Sequence, residues 1–178
     1  MGLLIVSAVA TIGAVILATN NNVKIQAEEK LAVGQRVFEQ LILERGNQLF
    51  DSAAVLVADY GFKEAVTSND MPTIQSALEN NGSRINADLI LLLGLDGQLI
   101  NTASDASSQL IKDFSFSALL TSAEKEGGIS TIALINDQIY QLVMLPVEAP
   151  IVVAWAVVGK HIDNDFANQL KELTNLNV

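Results

Sequence analysis

The stretch ADLILLLGLDGQLINTAS, residues 87–104, decides the fold class. Residues 89–95 form a mostly apolar run, and Leu99-Ile100 begins a second run after Asp96-Gly97. Asp-Gly between two apolar runs favours a hairpin with a type I′ turn, because that turn needs a positive φ at both central residues. The stretch therefore predicts two short antiparallel strands that are joined at Asp96-Gly97.

A long helix is predicted before the hairpin, over residues 23–61. Its apolar residues recur mostly at steps of three, four or seven, which gives the helix one apolar face. Gly34 and Gly46 within it each cost about 1 kcal/mol relative to Ala, so packing against other elements must stabilise the helix. A short helix from Phe62 follows, and then a third helix that Asp70 caps and Gly82 ends.

Three strands and two more helices are predicted after the hairpin. A helix over residues 110–124 is ended by Gly127-Gly128, and Asp163 caps an amphipathic helix at the end of the chain. The strands cover residues 129–135, 138–145 and 151–159, and Asn136-Asp137 forms a two-residue turn. The predicted fold class is α+β, with the long N-terminal helix packed on a five-stranded antiparallel sheet.

The first twenty residues predict a membrane-anchor helix. Residues 2–19 carry no charge, and about 18 residues of helix span roughly 27 Å, close to the hydrocarbon core of a bilayer. We expect residues 3–18 to contact the membrane. The alternatives are a cleaved signal sequence and an apolar helix that is buried or packed against a partner. No Lys or Arg precedes the apolar run, which suggests that the natural N-terminus has been trimmed.

The composition excludes several classes of function. The 178 residues contain ten Lys and Arg against twenty Asp and Glu, which gives a formal net charge of −10. A nucleic-acid-binding domain needs clustered basic residues, so we expect no nucleic-acid partner. The chain has no cysteine, which excludes disulfides, thiol catalysis and zinc–thiolate sites.

A resemblance to a known family is carried by GQRVFEQLILERGNQLFDSAAVLVADYGFKEAVTSND (34–70), TIQSALENNGSRINADLILLLGLDGQLI (73–100) and AWAVVGKHIDNDFANQLKELTNLNV (154–178). In order and spacing these segments resemble the extracytoplasmic Cache (PAS-like) sensory domain of bacterial membrane signalling proteins, of the kind found ahead of cyclic di-GMP turnover (GGDEF or EAL) domains. The resemblance implies a periplasmic Cache-like domain over residues 21–178 and an anchor in the inner membrane. It also implies signalling through the long helix to a cytoplasmic output domain, so we interpret the chain as an excised sensor region.

Four residues are candidates for ligand binding. Tyr140 and Trp155 fall on adjacent predicted strands, and an aromatic ring with a polar tip suits a pocket wall. Arg84, ahead of the first strand, and Lys112, on the helix predicted over residues 110–124, are suited to a ligand carboxylate. We expect a cavity between the later strands and residues 101–125 with a small carboxylate as ligand. The alternatives are sheet core for the aromatic residues and solvated charges for the two cations.

No catalytic residue, metal site or cofactor is predicted, so we expect no enzyme activity in this chain. His161 is the only histidine, and neither a nucleophile turn nor a pair of carboxylates on one apolar segment accompanies it. His161, Asp163 and Asp165 form a weak metal-binding pattern, for which an exposed loop beside a helix cap is the alternative.

The long helix carries two stripes of apolar and charged residues and extends beyond one sheet, so we expect a parallel homodimer through it. Two functions other than ligand sensing remain open. The first is a membrane-anchored, pilin-like structural or assembly subunit with no small-molecule ligand, although the early Glu expected of a pilin is missing here. The second is a periplasmic protein that carries a solute.

Overall fold

The computed structural model describes residues 2–103, 111 and 114–174, with side chains from residue 30 onward. Two compact units are present: a sheet unit of residues 42–166, and a second unit of residues 1–41 and 167–178. The helices are α1 (Gly2–Ala58), α2 (Tyr60–Thr67), α3 (Met71–Arg84), α4 (Ser117–Glu126) and α5 (Asn164–Thr174). The strands are β1 (Leu89–Leu93), β2 (Leu99–Thr102), β3 (Ile129–Ile135), β4 (Gln138–Glu148) and β5 (Val152–His161).

The strands form one antiparallel sheet in the order β2-β1-β5-β4-β3. β5 is central, and its residues 154–159 are all buried, as expected for a strand covered on both faces. β3 begins at Ile129, which pairs with Met144, so Pro146 of β4 lies outside the β3–β4 pairs, where a residue without an N–H is tolerated. The predicted α+β fold, a long helix on a five-stranded antiparallel sheet, is confirmed.

One face of the sheet, called the helical face, is covered by α2, α3 and residues 42–58 of α1. Leu49, Ala53 and Leu56 of α1 are buried against the sheet residues Ile90 and Leu92 in one core cluster. Burying an aliphatic side chain fully contributes about 1.5–3 kcal/mol. This packing therefore compensates for the low helix propensity of the glycines in α1.

The other face, called the opposite face, is covered by Ile111, by Phe114 and Phe116, and by α4. Side chains alternate along a strand, so successive residues of β1 reach different cores. Ile90 and Leu92 point to the helical face, whereas residues 89, 91 and 93 point to the opposite face. Tyr140 and Trp155 belong to the core of the opposite face.

The first hairpin is confirmed, but its predicted type I′ turn at Asp96-Gly97 is wrong. Of these two residues, Gly97 alone has a positive φ, 76°. Its N–H donates to Gly94 O over 3.0 Å, and the Gly94 N–H donates to Gln98 O over 2.8 Å, so a longer loop closes the hairpin. Asp96 Oδ1 accepts from the Gln98 N–H in this loop. Two successive positive φ values occur instead at Asn136-Asp137, 48° and 61°, where the predicted two-residue turn is confirmed.

α1 ends at Ala58, three residues before the predicted Gly61. The cause is Asp59, whose Oδ1 accepts from the Phe62 N–H over 2.8 Å and caps α2. Asp70 caps α3 as predicted, because its Oδ2 accepts from the Thr73 N–H over 3.1 Å. The pKa of Asp70 is held below the usual 3.8, mainly by the hydrogen bond from the Thr73 hydroxyl and to a smaller extent by the one from the Thr73 backbone N–H.

α3 and α4 also differ from their predicted limits. α3 continues past Gly82 to Arg84, and Gly82 is a packing residue, since a Cβ there would approach Ile90 Cγ2 to 3.1 Å. α4 begins at Ser117, whereas the prediction began it at residue 110, which lies outside the described residues. Among the described residues ahead of it, Ile111 and Phe116 are buried outside any helix, and their spacing does not follow a helical period.

The predicted membrane anchor, residues 3–18, lies in the part of α1 whose side chains are outside the described residues. It therefore stays a prediction. A search of the described residues finds no helix that is both long and apolar enough to cross a membrane.

Candidate functional site

Trp155 lies on β5, on the opposite face of the sheet. The strand pairs place it between Leu93 of β1 and Pro146 of β4. Its side chain is 3% exposed, yet its indole N–H has no hydrogen-bond partner among the described residues. Most buried donors in proteins are paired, so an orphaned indole N–H in a sheet core needs an explanation. Sheet core, the alternative for this residue, accounts for its burial but not for its unpaired donor.

Tyr140 also lies on the opposite face and is buried, but its hydroxyl is satisfied. The hydroxyl donates to Gln138 Oε1 over 2.8 Å, and the ring centroid lies 5.2 Å from that of His161. Burial, and then the nearby negative charge of Asp88, raise the pKa of Tyr140 above its usual 10.0. Tyr140 is therefore a neutral hydrogen-bonding group over the physiological range of pH.

The structure does not bring Tyr140 and Trp155 together. Tyr140 pairs with His161, which is six residues beyond Trp155 on β5. A strand rises about 3.3 Å per residue, so the two aromatic side chains are separated by about 20 Å along the sheet. They cannot both contact one small ligand.

The structure describes one of the two cationic residues that were predicted to bind the ligand. Arg84 is in the last turn of α3, on the helical side of the sheet, and its exposed guanidinium donates to Asn81 Oδ1 over 3.1 Å. It therefore cannot reach a ligand beside Trp155. Lys112 lies outside the described residues, as do residues 104–110, which belong to the wall of the predicted cavity. The cavity between the later strands and residues 101–125 stays a prediction.

A polar cluster that the sequence did not predict joins the start of β1 to the end of β5. Lys160 Nζ donates to Asn86 O over 2.8 Å and to Asp88 Oδ1 over 3.1 Å. Asp88 Oδ2 accepts a hydrogen bond from the backbone N–H of His161 over 2.8 Å. The partners are more than 70 residues apart in the chain, so no local pattern could have revealed the cluster.

The weak metal pattern at His161, Asp163 and Asp165 is explained by a helix cap. Asp163 Oδ1 accepts from the N–H groups of Asp165 and Phe166, each over 3.1 Å, at the start of α5. These hydrogen bonds hold the pKa of Asp163 below its usual 3.8, and the one from the Phe166 N–H has the largest effect. Within the described ranges, no three or more His, Asp or Glu side chains are grouped as they would be around a metal ion.

Two solved sensor domains share the fold. The periplasmic domain of Vibrio cholerae LuxQ has a TM-score of 0.59 at 14% sequence identity, covering 81% of this chain and 70% of the LuxQ chain. The sensor domain of the V. cholerae histidine kinase DctB also has a TM-score of 0.59, at 15% identity, covering 80% of this chain and 58% of the DctB chain. The present chain thus spans little more than half of the DctB sensor domain. Similarity at this level of identity establishes a shared fold.

The family comparison is more specific. No curated protein matches the sequence significantly. The model of the dCache_3 family, described as the double sensory domain of two-component sensor kinase, matches residues 24–178. This match confirms the Cache resemblance and does not favour the pilin-like alternative, and it does not extend to cyclic di-GMP signalling. The chain belongs to the dCache_3 family of sensory domains of two-component sensor kinases.

Proposed function

We propose that this chain is the periplasmic, ligand-sensing part of a membrane-bound sensor kinase, and that it binds a small molecule on the opposite face of the sheet. The observation that carries the proposal is the buried indole N–H of Trp155, which has no partner among the described residues. Leaving a buried donor unpaired costs about 1–3 kcal/mol. A ligand that supplies an acceptor at this position would recover that free energy on binding.

The proposed ligand is a small carboxylate. A carboxylate oxygen accepts strong hydrogen bonds, and the aliphatic side chains around Trp155, such as Leu93, supply the apolar wall that ligand sites share. Lys112 follows Ile111 in the sequence, and Ile111 packs in the same core as Trp155. We therefore propose Trp155 and Lys112 as the binding pair. Tyr140 is not part of this site because it lies too far from Trp155 along the sheet. Arg84 is not part of it because it lies on the helical side.

The proposed route of the signal runs from the sheet to α1. Gln141 of β4 is 5% exposed, and its side-chain amide donates to the carbonyl oxygen of Ile42 in α1 over 2.7 Å. Its neighbours in the strand, Tyr140 and Leu142, point to the opposite face. A ligand shifts the position of α1 only through its different affinities for two sheet–helix arrangements. A coupling of about 1–3 kcal/mol would change the output roughly 5- to 150-fold.

We also propose a parallel homodimer through α1. Leu43 is 66% exposed and Phe50 is 36% exposed, although both are large and apolar. They are seven residues apart, and the exposed Asn47 lies between them at the 4-3 spacing of a coiled-coil seam. We expect Leu43→Glu to shift the full chain in detergent from dimer to monomer in sedimentation. A wild-type chain that stays monomeric at high concentration in detergent would contradict the dimer.

The proposal also covers the cellular location of the chain and the type of output domain that it controls. Residues 3–18 would anchor the chain in the bacterial inner membrane, and the sheet unit would lie in the periplasm. Because the family is that of sensor kinases, we favour a histidine kinase as output over a diguanylate cyclase or phosphodiesterase. The coding sequence downstream of Val178 tests this choice directly.

A thermal-shift screen of small carboxylates against the full chain in detergent tests ligand sensing. We expect at least one compound to raise the melting temperature of the wild-type chain in a saturable way. Trp155→Phe should reduce that shift, because it removes the indole N–H but keeps an aromatic ring. Tyr60→Phe is the matched control, since Tyr60 is 79% exposed and remote in sequence from the site. Hits that shift wild type and Trp155→Phe equally would contradict the proposed site.

A further inference from the structure

A second cleft lies on the helical side of the sheet unit, away from Trp155. It has a volume of about 230 Å³ and is formed by α1, the loop between α3 and β1, and the end of β5. Its polar lining residues are Arg45, Gln48 and Ser52 of α1, Asn86 of the loop, and Lys160 of β5. Two cations therefore converge on one cleft in a chain whose net charge is −10.

Several hydrogen-bond donors that face the cleft have no acceptor among the described residues. The Arg45 guanidinium lies over the ring of Phe166, with Cζ 4.9 Å from the ring centroid, and it makes no hydrogen bond or ion pair with the described residues. The side-chain amides of Gln48 and Asn86 likewise have no partner in the described part of the chain. Ser52 differs, because its hydroxyl already donates to Gln48 O over 2.8 Å. Stacking on Phe166 orients the guanidinium without consuming its N–H groups.

The charges around the cleft favour an anion. None of the described residues that line the cleft carries a carboxylate. Asp88, which does not line the cleft, neutralises part of the Lys160 charge through the 3.1 Å ion pair. Lys160 has three N–H groups and uses two, on Asp88 and on Asn86 O, so one remains available. Of the two described cations that line the cleft, Arg45 is thus the one without a neighbouring carboxylate partner.

We propose that this cleft binds a small oxyanion, with the Arg45 guanidinium as its main anchor. A guanidinium pairs two N–H groups with two oxygens of a carboxylate or phosphate, and the two amides and Lys160 complete the set of donors. The cleft is small for a drug-sized molecule and suits an anion of a few heavy atoms. Inorganic phosphate and a short dicarboxylate share this chemistry. The site is independent of ligand binding at Trp155, because it lies on the other side of the sheet.

Isothermal titration of the full chain in detergent with inorganic phosphate and, separately, with succinate tests the proposal. Ionic strength is held constant with chloride, so that general screening is the same in every titration. We expect one of the two anions to bind saturably at one site per chain. Arg45→Gln should weaken this binding at least tenfold. Arg36→Gln, the same change about two and a half turns earlier in α1, should change it less than twofold.

A second variant keeps the test decisive if Arg45→Gln does not fold. Asn86 has a positive φ of 51°, which Asp tolerates, so Asn86→Asp places a negative charge in the cleft with little change of shape. It should also weaken binding at least tenfold, whereas Asn80→Asp on the exposed surface of α3 should not. The absence of saturable binding by either anion, or equal weakening by Arg36→Gln, would overturn the proposal.

Discussion

The two faces of the sheet are both closely packed, but they treat polar groups differently. On the helical face the buried Gln141 amide finds an acceptor, the carbonyl of Ile42, and the helices cover aliphatic side chains. On the opposite face the buried Trp155 Nε1 has no partner among the described residues. A face built only for stability satisfies its donors, so the difference suggests that the opposite face is completed by a ligand.

The largest expected loss of stability comes from changing either of two adjacent residues of β1, whose side chains point to different faces of the sheet. Leu92 points to the helical face and Leu93 to the opposite face, and both are fully buried. Each change to Ala should lower the free energy of unfolding by about 2–5 kcal/mol, because it leaves a cavity in a core. Chemical denaturation measures both losses.

The same pair of variants separates stability from sensing. Leu92→Ala should keep the ligand-induced rise in melting temperature, whereas Leu93→Ala, next to Trp155 across the strand pair, should alter it. Equal ligand responses in the two variants would mean that the opposite face is not the ligand face.

A smaller effect is expected where α1 meets β4. A Cβ at Gly46 would come within 2.5 Å of Gln141 Nε2, so Gly46→Ala must displace the amide that binds Ile42 O. The lost hydrogen bond costs about 1–3 kcal/mol, offset in part by about 1 kcal/mol of helix propensity. We expect a net loss of about 1 kcal/mol. In a Gln141→Ala background the same change should stabilise the chain, and additive effects in the double-mutant cycle would contradict this contact.

Trp155→Phe should change stability little in the absence of ligand. It removes an unpaired buried donor, which is favourable, and it leaves a small cavity, which is not, so the net change should stay within about 1 kcal/mol. Trp155→Ala should cost about 3–5 kcal/mol, because it removes the ring as well. Urea denaturation distinguishes these outcomes, and a loss in Trp155→Phe as large as that in Trp155→Ala would indicate a satisfied indole.

The smallest effect is the titration of Tyr140. Its folded-state pKa is raised above 10.0 by burial and by Asp88, so the neutral form contributes stability below pH 10. This contribution is lost as the pH rises through the folded-state pKa, because the unfolded chain ionises first. The free energy of unfolding, measured from about pH 8 to about pH 11, should fall more steeply for wild type than for Tyr140→Phe.

Local chemistry explains which elements could be predicted from the sequence. β3 has the predicted limits, because Gly127-Gly128 and the Asn136-Asp137 turn mark both of its ends. The cap residues Asp70 and Asp163 were also predictable, since they act within three residues of themselves. The first hairpin turn was not, because Asp96-Gly97 is compatible with a two-residue turn and with the longer loop closed at Gly94.

The candidate site depended on strand register, which the sequence does not determine. The loop between β4 and β5 is shorter than predicted, and the resulting register pairs Trp155 with Pro146 rather than bringing it near Tyr140. The cleft around Arg45 and Lys160 was missed because its residues come from three distant segments. Periodicity places a residue on a face, but only tertiary packing decides which faces meet.

The most direct test uses the fact that Trp155 is the only tryptophan in the chain. The ¹H–¹⁵N NMR spectrum of the full chain in detergent should therefore contain a single indole resonance. We predict that a ligand found in the thermal-shift screen moves this resonance downfield and slows its exchange with water, because the N–H acquires an acceptor. A ligand that stabilises the chain and leaves the indole resonance unchanged would contradict the proposal that the opposite face of the sheet is the sensing face.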